Sequence, residues 1–266
     1  MHTLLMVAAL TCYILGACLQ GLRLSGRLSR YYPALLILAI LAFSTHGYWL
    51  YGGIDLRGGQ IPIFNLSSLA IWLLVLFAGL MSIKRPVENL FIFIFPLAAL
   101  SIVLVWQFPE YHLLHIGGET RQLVHVLSAA SAFAVMCAAA LQAGLLAVQN
   151  DLLRHQRVGR LVNGLPPLEV MERLLFQMIW IGFFILTWML VSSFYSFDHL
   201  FLPPLLQKIL LTLASWVVFA ALLCGRYFLG WRGRKVVYGT LTGFFLLIVI
   251  YFGSQLIPTL FIGLLS

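Results

Sequence analysis

Charge is scarce in this sequence of 266 residues. Only 9% of the residues are Asp, Glu, Lys or Arg, whereas 62% are hydrophobic. Soluble domains carry about 25% charged residues, so a surface this poor in charge excludes a water-soluble globular protein. The net charge of +8 falls in short gaps between apolar runs. That pattern is typical of contact with membrane lipid headgroups, and it argues against a nucleic-acid partner.

Motifs for soluble redox or hydrolytic chemistry are also missing. The four cysteines form neither CxxC nor CxxCH, so disulfide, dithiol and covalent-haem sites lack support. Phosphate-binding glycine loops, HExxH and GxSxG are absent as well. We therefore expect a protein that is not an enzyme. A small-solute transporter is a weaker alternative, because no polar pair stands at the middle of a span.

Long apolar runs dominate the sequence instead. In lipid each run must be helical, since no water is available to pair with exposed backbone groups, and about 20 residues cross the hydrocarbon. The sequence predicts an all-α, polytopic transmembrane helical bundle with about eight spans, forming a single integral membrane domain over 1–266. The predicted spans are 3–22, 33–51, 65–83, 88–106, 123–149, 174–194, 207–228 and 236–256.

The basic residues predict the orientation of these spans. Thirteen of the 16 Lys and Arg residues fall in alternate gaps, and the exceptions are Arg57, Arg121 and Lys208. Because cytoplasmic loops are enriched in Lys and Arg, we expect both termini to be periplasmic. The first run lacks a basic segment before it, so it is interpreted as a retained span and not as a signal peptide. The sequence thus predicts a multi-pass protein of the bacterial inner membrane.

Histidines concentrate on the predicted outer side. Six of the seven lie there: His2, His46, His112, His115, His125 and His199. A neutral imidazole is a good ligand for haem iron or transition metals. The alternative is that polar residues simply collect in the longer, uncharged outer loops.

His125 opens the fifth span and is the strongest single candidate. Small residues follow on the same face of the helix: Ser128, Ala129, Ala132, Ala139, Ala140 and Ala143. These small side chains form what we call the thin face of the helix. Such a face permits close helix packing, or it leaves room for a flat apolar ligand whose metal is coordinated by His125. His46, near the outer end of the second span, is a candidate second axial ligand. A hydrogen-bonded core histidine is the alternative at that position.

Three segments resemble the bacterial cytochrome c assembly protein family, which includes CcsA-like and HemX-like proteins, and in particular its YpjD-like branch of inner-membrane proteins. They are "LVHVLSAASAFAVMCAAALQAGLLAVQ", "SSFYSFDHLF" and "ASWVVFAALLCGRYFLGWRGRKVVYGTLTGFFLLIVIYFGSQL". The resemblance extends over most of the chain in order and spacing. It implies an inner-membrane bundle with a haem-related role on the periplasmic side, with His125 matching a haem-coordinating histidine and His46 a looser match.

The resemblance also has departures. CcsA-like members carry a tryptophan-rich WGxxWxWD segment against haem, and here Asp198 is kept, next to His199, while Tyr195 and Phe197 replace tryptophans. A second periplasmic histidine, expected after the last span, is missing. We therefore expect haem binding or haem trafficking, with His125, His46, His199 and Asp198 as candidate cofactor-binding residues. The alternative is an assembly or regulatory partner of cytochrome c maturation or other inner-membrane proteins that has lost haem handling.

Overall fold

The computed structural model describes residues 2–25, 32–53, 60–109, 113–115, 120–156, 164–196 and 203–253. Within these residues, eight helices are long and apolar enough to cross a membrane. They are α1 (His2–Leu24), α2 (Tyr32–Gly53), α3 (Ile63–Ser82), α4 (Phe91–Gln107), α5 (Thr120–Arg154), α6 (Leu168–Ser196), α7 (Pro203–Leu229) and α8 (Arg234–Ile248). The fourth span, Glu88–Gln107, includes a 3-10 turn, Glu88–Leu90, before α4, and the eighth, Arg234–Phe252, includes most of a π-helical turn, Val249–Gly253, after α8. The predicted all-α class and eight spans are confirmed.

Two short strands were not predicted. β1 (Gln60–Pro62) precedes α3, and β2 (Leu113–His115) lies between α4 and α5. They pair antiparallel with Gln60 opposite His115 and Pro62 opposite Leu113. The pairing satisfies backbone groups in two segments that the apolar pattern marks only as gaps.

The described residues cluster into two compact units. The first unit contains 1–118 and 148–174, and the second contains 119–147 and 175–266. The prediction of a single membrane domain over 1–266 stays a prediction.

In the first unit, α1 packs against α2 and α4, and α3 packs against the same two helices. Close approach depends on small residues at the contacts. A Cβ at Gly16 of α1 would overlap the ring of Phe95 on α4. On the opposite side, the Trp72 indole stacks on Phe43 at 4.4 Å and donates to the Phe43 carbonyl at 2.9 Å. These contacts hold four helices around a common core.

In the second unit, contacts link α5, α6, α7 and α8 in succession. Met136 on α5 lies against Gly182 on α6. Trp216 Nε1 on α7 donates to Thr187 Oγ1 on α6 at 2.9 Å, and Ser215 Oγ donates to a carbonyl of α8 at 2.9 Å. A ring contact between Phe133 of α5 and Phe244 of α8, with centroids 5.3 Å apart, completes the set.

Candidate functional site

His46 lies fully buried in the first unit. Its Nδ1 is 3.1 Å from Tyr13 Oη on α1, and its Nε2 is 2.9 Å from Ser68 Oγ on α3. Ser68 Oγ is 3.3 Å from Ser101 Oγ on α4, and the Ser101 hydroxyl donates to the Ala98 carbonyl at 2.8 Å. One side chain from each of four helices therefore joins a buried hydrogen-bond chain, which we call the His46 chain.

The donor and acceptor roles along the His46 chain follow from Ser101, at its α4 end. Because Ser101 gives its hydroxyl proton to a carbonyl, it accepts from Ser68, which in turn accepts from His46. The proton of His46 is therefore on Nε2, and its Nδ1 lone pair accepts the hydroxyl of Tyr13. Since both ring nitrogens are engaged, coordination of iron by His46 would require Tyr13 or Ser68 to move away. The role of His46 as an axial ligand stays a prediction.

His125 is partly buried near the start of α5, in the second unit. Its Nδ1 is 3.0 Å from Ser192 Oγ on α6, while the Ser192 hydroxyl donates to the Met189 carbonyl at 2.8 Å. The Met189 backbone also forms a hydrogen bond with the imidazole, so Ser192 and Met189 together hold the ring. When Nδ1 carries the proton, it donates to Ser192. The neutral ring then has its lone pair on Nε2. This is the tautomer of a metal-ligating histidine whose other nitrogen is held by a neighbouring group.

The ends of α5 and α6 are tied together beside His125. Arg121 Nη1 donates to the Tyr195 carbonyl at 3.3 Å, and Ser196 Oγ donates to the Arg121 carbonyl at 3.1 Å. Residues four apart share one face of a helix, so the guanidinium and the imidazole both lie at this end of α5. Chemically, the arrangement offers a metal ligand and a cation at neighbouring positions.

Other predicted site residues have different outcomes. Asp198 and His199 lie outside the described residues, and their roles stay predictions. On the thin face of α5, Ala132, Ala139 and Ala143 are buried, which favours the close-packing interpretation. Over the described ranges, no three His, Cys, Asp or Glu side chains come together.

A cavity of about 460 Å³ lies at one end of the first unit. Its lining comes from all four helices and from the residue two positions after α4: His2, Trp49, Leu50, Gly52, Asn65, Val105, Trp106 and Pro109. The sequence pattern did not identify this site. Trp49 and Trp106 stand near span ends, where tryptophan commonly anchors a helix at the headgroup layer, and Asn65 is a single amide at the start of an apolar run. A buried amide at the start of a span is the signal that could have found it.

The cavity lies directly above the His46 chain. Trp49 and Leu50 follow His46 by three and four residues on α2, and the Trp49 and His46 rings have centroids 6.3 Å apart. Asn65 precedes Ser68 by three residues on α3. Each of these offsets is about one helical turn. The hydrogen-bond chain thus lies about one helical turn below the cavity floor.

Comparison with known proteins identifies the family of this chain and several of its relatives. The profile described as cytochrome C assembly protein matches residues 31–262. The inner membrane protein YpjD of Escherichia coli (strain K12) is 28% identical over 228 residues, which cover 85% of this chain and 86% of that protein. YpjD proteins of Escherichia coli O6:H1 and O157:H7 match with the same identity and coverage. No solved structure matches. Eight apolar helices and these relatives identify a multi-pass protein of the inner membrane, and the chain belongs to the cytochrome c assembly protein family.

Proposed function

We propose that this protein binds or passes on haem during cytochrome c assembly, with the iron held by His125 near the predicted periplasmic surface. The observation that carries the proposal is the tautomer of His125. Its Nδ1 lies 3.0 Å from Ser192 Oγ, and a proton on Nδ1 puts the lone pair on Nε2, the nitrogen that would coordinate the iron. Membership of the cytochrome c assembly family supports haem as that ligand.

Two further residues suit the same site. Ser192, anchored on the Met189 carbonyl, fixes the plane and tautomer of the imidazole, as neighbours of metal-ligating histidines do. Arg121, one turn before His125, is an exposed guanidinium, and Arg pairs readily with carboxylates such as the haem propionates. When bound, haem supplies the iron, and the chain supplies its ligand, its orientation and a cation at its edge.

We propose a carrier without catalytic activity. A haem lyase has to hold haem and also present it to a CxxCH segment. In the matching stretch this sequence has Tyr195 and Phe197 where CcsA-like members have tryptophans. The retained residues support holding haem more than attaching it.

Haem titration tests the proposal. Purified protein in detergent is mixed with haem and its absorption spectrum is recorded. We expect a saturable Soret band that His125→Ala weakens, because the iron ligand is removed. His155→Ala is the matched control, since His155 is exposed and lies beyond the opposite end of the α5 apolar run. A folded sample that takes up no haem, or an unchanged band in His125→Ala, contradicts the proposal.

Both ring nitrogens of His46 are engaged in hydrogen bonds and are not available to iron as they stand. This favours a second candidate function. In that case the fold is kept and the protein is an assembly or regulatory partner of another inner-membrane protein. Crosslinking in membranes depleted of haem distinguishes the two. A stable partner captured without haem, together with no Soret band, supports the second candidate.

A further inference from the structure

The cavity above the His46 chain has a buried floor and an exposed rim. Leu50, Asn65 and Val105 on the floor are each less than a tenth exposed, whereas Trp106 on the rim is 60% exposed. The volume of about 460 Å³ lies in the range of about 300–1,000 Å³ typical of small-molecule sites. A concave site with a fixed floor and an accessible edge is suited to a ligand that enters from the side.

The lining favours a flat, uncharged ring. Trp49 and Trp106 come from α2 and α4, and indole faces pack well against conjugated rings. His2 and Asn65 add an imidazole and an amide, both of which can donate to carbonyl oxygens. No Lys, Arg, Asp or Glu stands among the described residues of this lining. A ligand with ionised carboxylates, such as haem, therefore finds no opposite charge there.

His2 is held at the rim by its neighbour. A Cβ at Gly52 would overlap the His2 imidazole, so the ring lies directly against the backbone near the end of α2. Gly52 is therefore a position where glycine is required for close approach of a side chain. This contact places the His2 nitrogens beside the cavity.

An apolar row on α4 leads away from the rim. Phe93, Leu100, Val103 and Trp106 are between 40% and 60% exposed, and their spacing puts them along one side of the helix. In a membrane this row faces other apolar groups. A ligand with a ring for the cavity and a long hydrocarbon tail could use both surfaces at once.

We propose that the cavity binds the headgroup of a membrane quinone, with its isoprenoid tail along the α4 row. The quinone ring lies between Trp49 and Trp106, and its carbonyl oxygens accept from His2 and Asn65. None of the described lining residues belongs to the proposed haem site at His125.

Binding of a short-tailed quinone tests the inference. Full-length protein in lipid nanodiscs is titrated with decylubiquinone, and retained quinone is quantified after removal of free ligand. We expect one saturable site. Trp106→Leu should weaken binding about tenfold, the factor that corresponds to the loss of one aromatic contact. Trp188→Leu is the control, because Trp188 on α6 is 59% exposed, as Trp106 is 60% exposed, but does not line the cavity.

A second variant and a second ligand make the outcome decisive. Gly52→Val should also weaken binding, since it displaces His2 without removing any aromatic contact. Equal binding by Trp106→Leu and Trp188→Leu, or no saturable binding, overturns the inference. Haem added to the same samples separates the two proposals. If Trp106→Leu or Gly52→Val reduces haem uptake and quinone is not retained, the cavity is a haem site and the quinone assignment is wrong.

Discussion

The hydroxyl of Tyr13 on α1 lies 3.1 Å from Nδ1 of His46 on α2, and both side chains are fully buried. This contact starts the His46 chain, which continues through α3 and ends on α4. In a bundle whose helices are apolar nearly all round, sliding one helix past another changes little apolar burial. A polar chain that passes through four helices penalises such sliding, because each shift leaves a buried polar group unsatisfied.

Tyr13→Phe should destabilise the first unit. The substitution keeps the ring and leaves the Nδ1 lone pair of His46 without its donor, which costs about 1–3 kcal/mol. Thermal unfolding in detergent measures the change. Tyr48→Phe is the control, since Tyr48 is 57% exposed. Equal midpoints for the two variants would show that the Tyr13 contact contributes nothing to stability.

Ser192→Ala should weaken haem affinity about 10–100-fold, the usual effect of removing the group that orients a metal-ligating histidine. Without Ser192 Oγ, the tautomer and plane of the His125 ring are no longer fixed. Haem titration measures the affinity. The adjacent Ser193→Ala is the control, because Ser193 Oγ donates to the Met189 carbonyl at 3.1 Å and not to His125. Matching losses in both variants would contradict a specific role for Ser192.

Gly16→Ala and Gly21→Ala should have effects of opposite sign. A Cβ at Gly16 meets the buried ring of Phe95, whereas a Cβ at Gly21 has nothing within 4 Å. Overpacking costs about 1–3 kcal/mol, while replacing a helical glycine by alanine at an open position gains about 1 kcal/mol. Unfolding midpoints of the two variants measure the difference. A stabilised Gly16→Ala protein would show that α1 and α4 separate easily.

A periplasmic reporter should be active at the C-terminus. The 13 Lys and Arg residues in alternate gaps predict periplasmic termini for eight spans. Alkaline phosphatase fused after Ser266 is therefore expected to fold in the oxidising periplasm. Fusion after Lys84, in a predicted cytoplasmic gap, serves as the inactive control. The reverse pattern of activity would invert the predicted orientation.

The helices were predictable because a long apolar run in lipid must satisfy its backbone hydrogen bonds internally, and an α-helix does so. The differences in bounds have a simple cause. α5 runs from Thr120 to Arg154 and α6 begins at Leu168, beyond the predicted 123–149 and 174–194. Polar residues that flank the apolar run can continue the helix outside the hydrocarbon. Hydropathy marks only the apolar run and therefore misses these residues.

The partners of the candidate histidines could not be predicted. Sequence placed His46 and His125 at similar predicted depths, but it does not specify which helix faces meet. The roles of Tyr13 and Ser192 follow only from packing between helices that lie far apart in the chain. Serine and tyrosine in an apolar helix are too common to signal a hydrogen-bond partner without that packing.

The β1–β2 pair has a consequence for biogenesis. Synthesis proceeds from the N-terminus, so Gln60 is made well before His115, with α3 and α4 between them. The two strands emerge on one side of the membrane only when both intervening helices have been inserted. The pairing of Gln60 opposite His115 therefore forms only after the fourth crossing has been inserted, when four of the eight spans are in place.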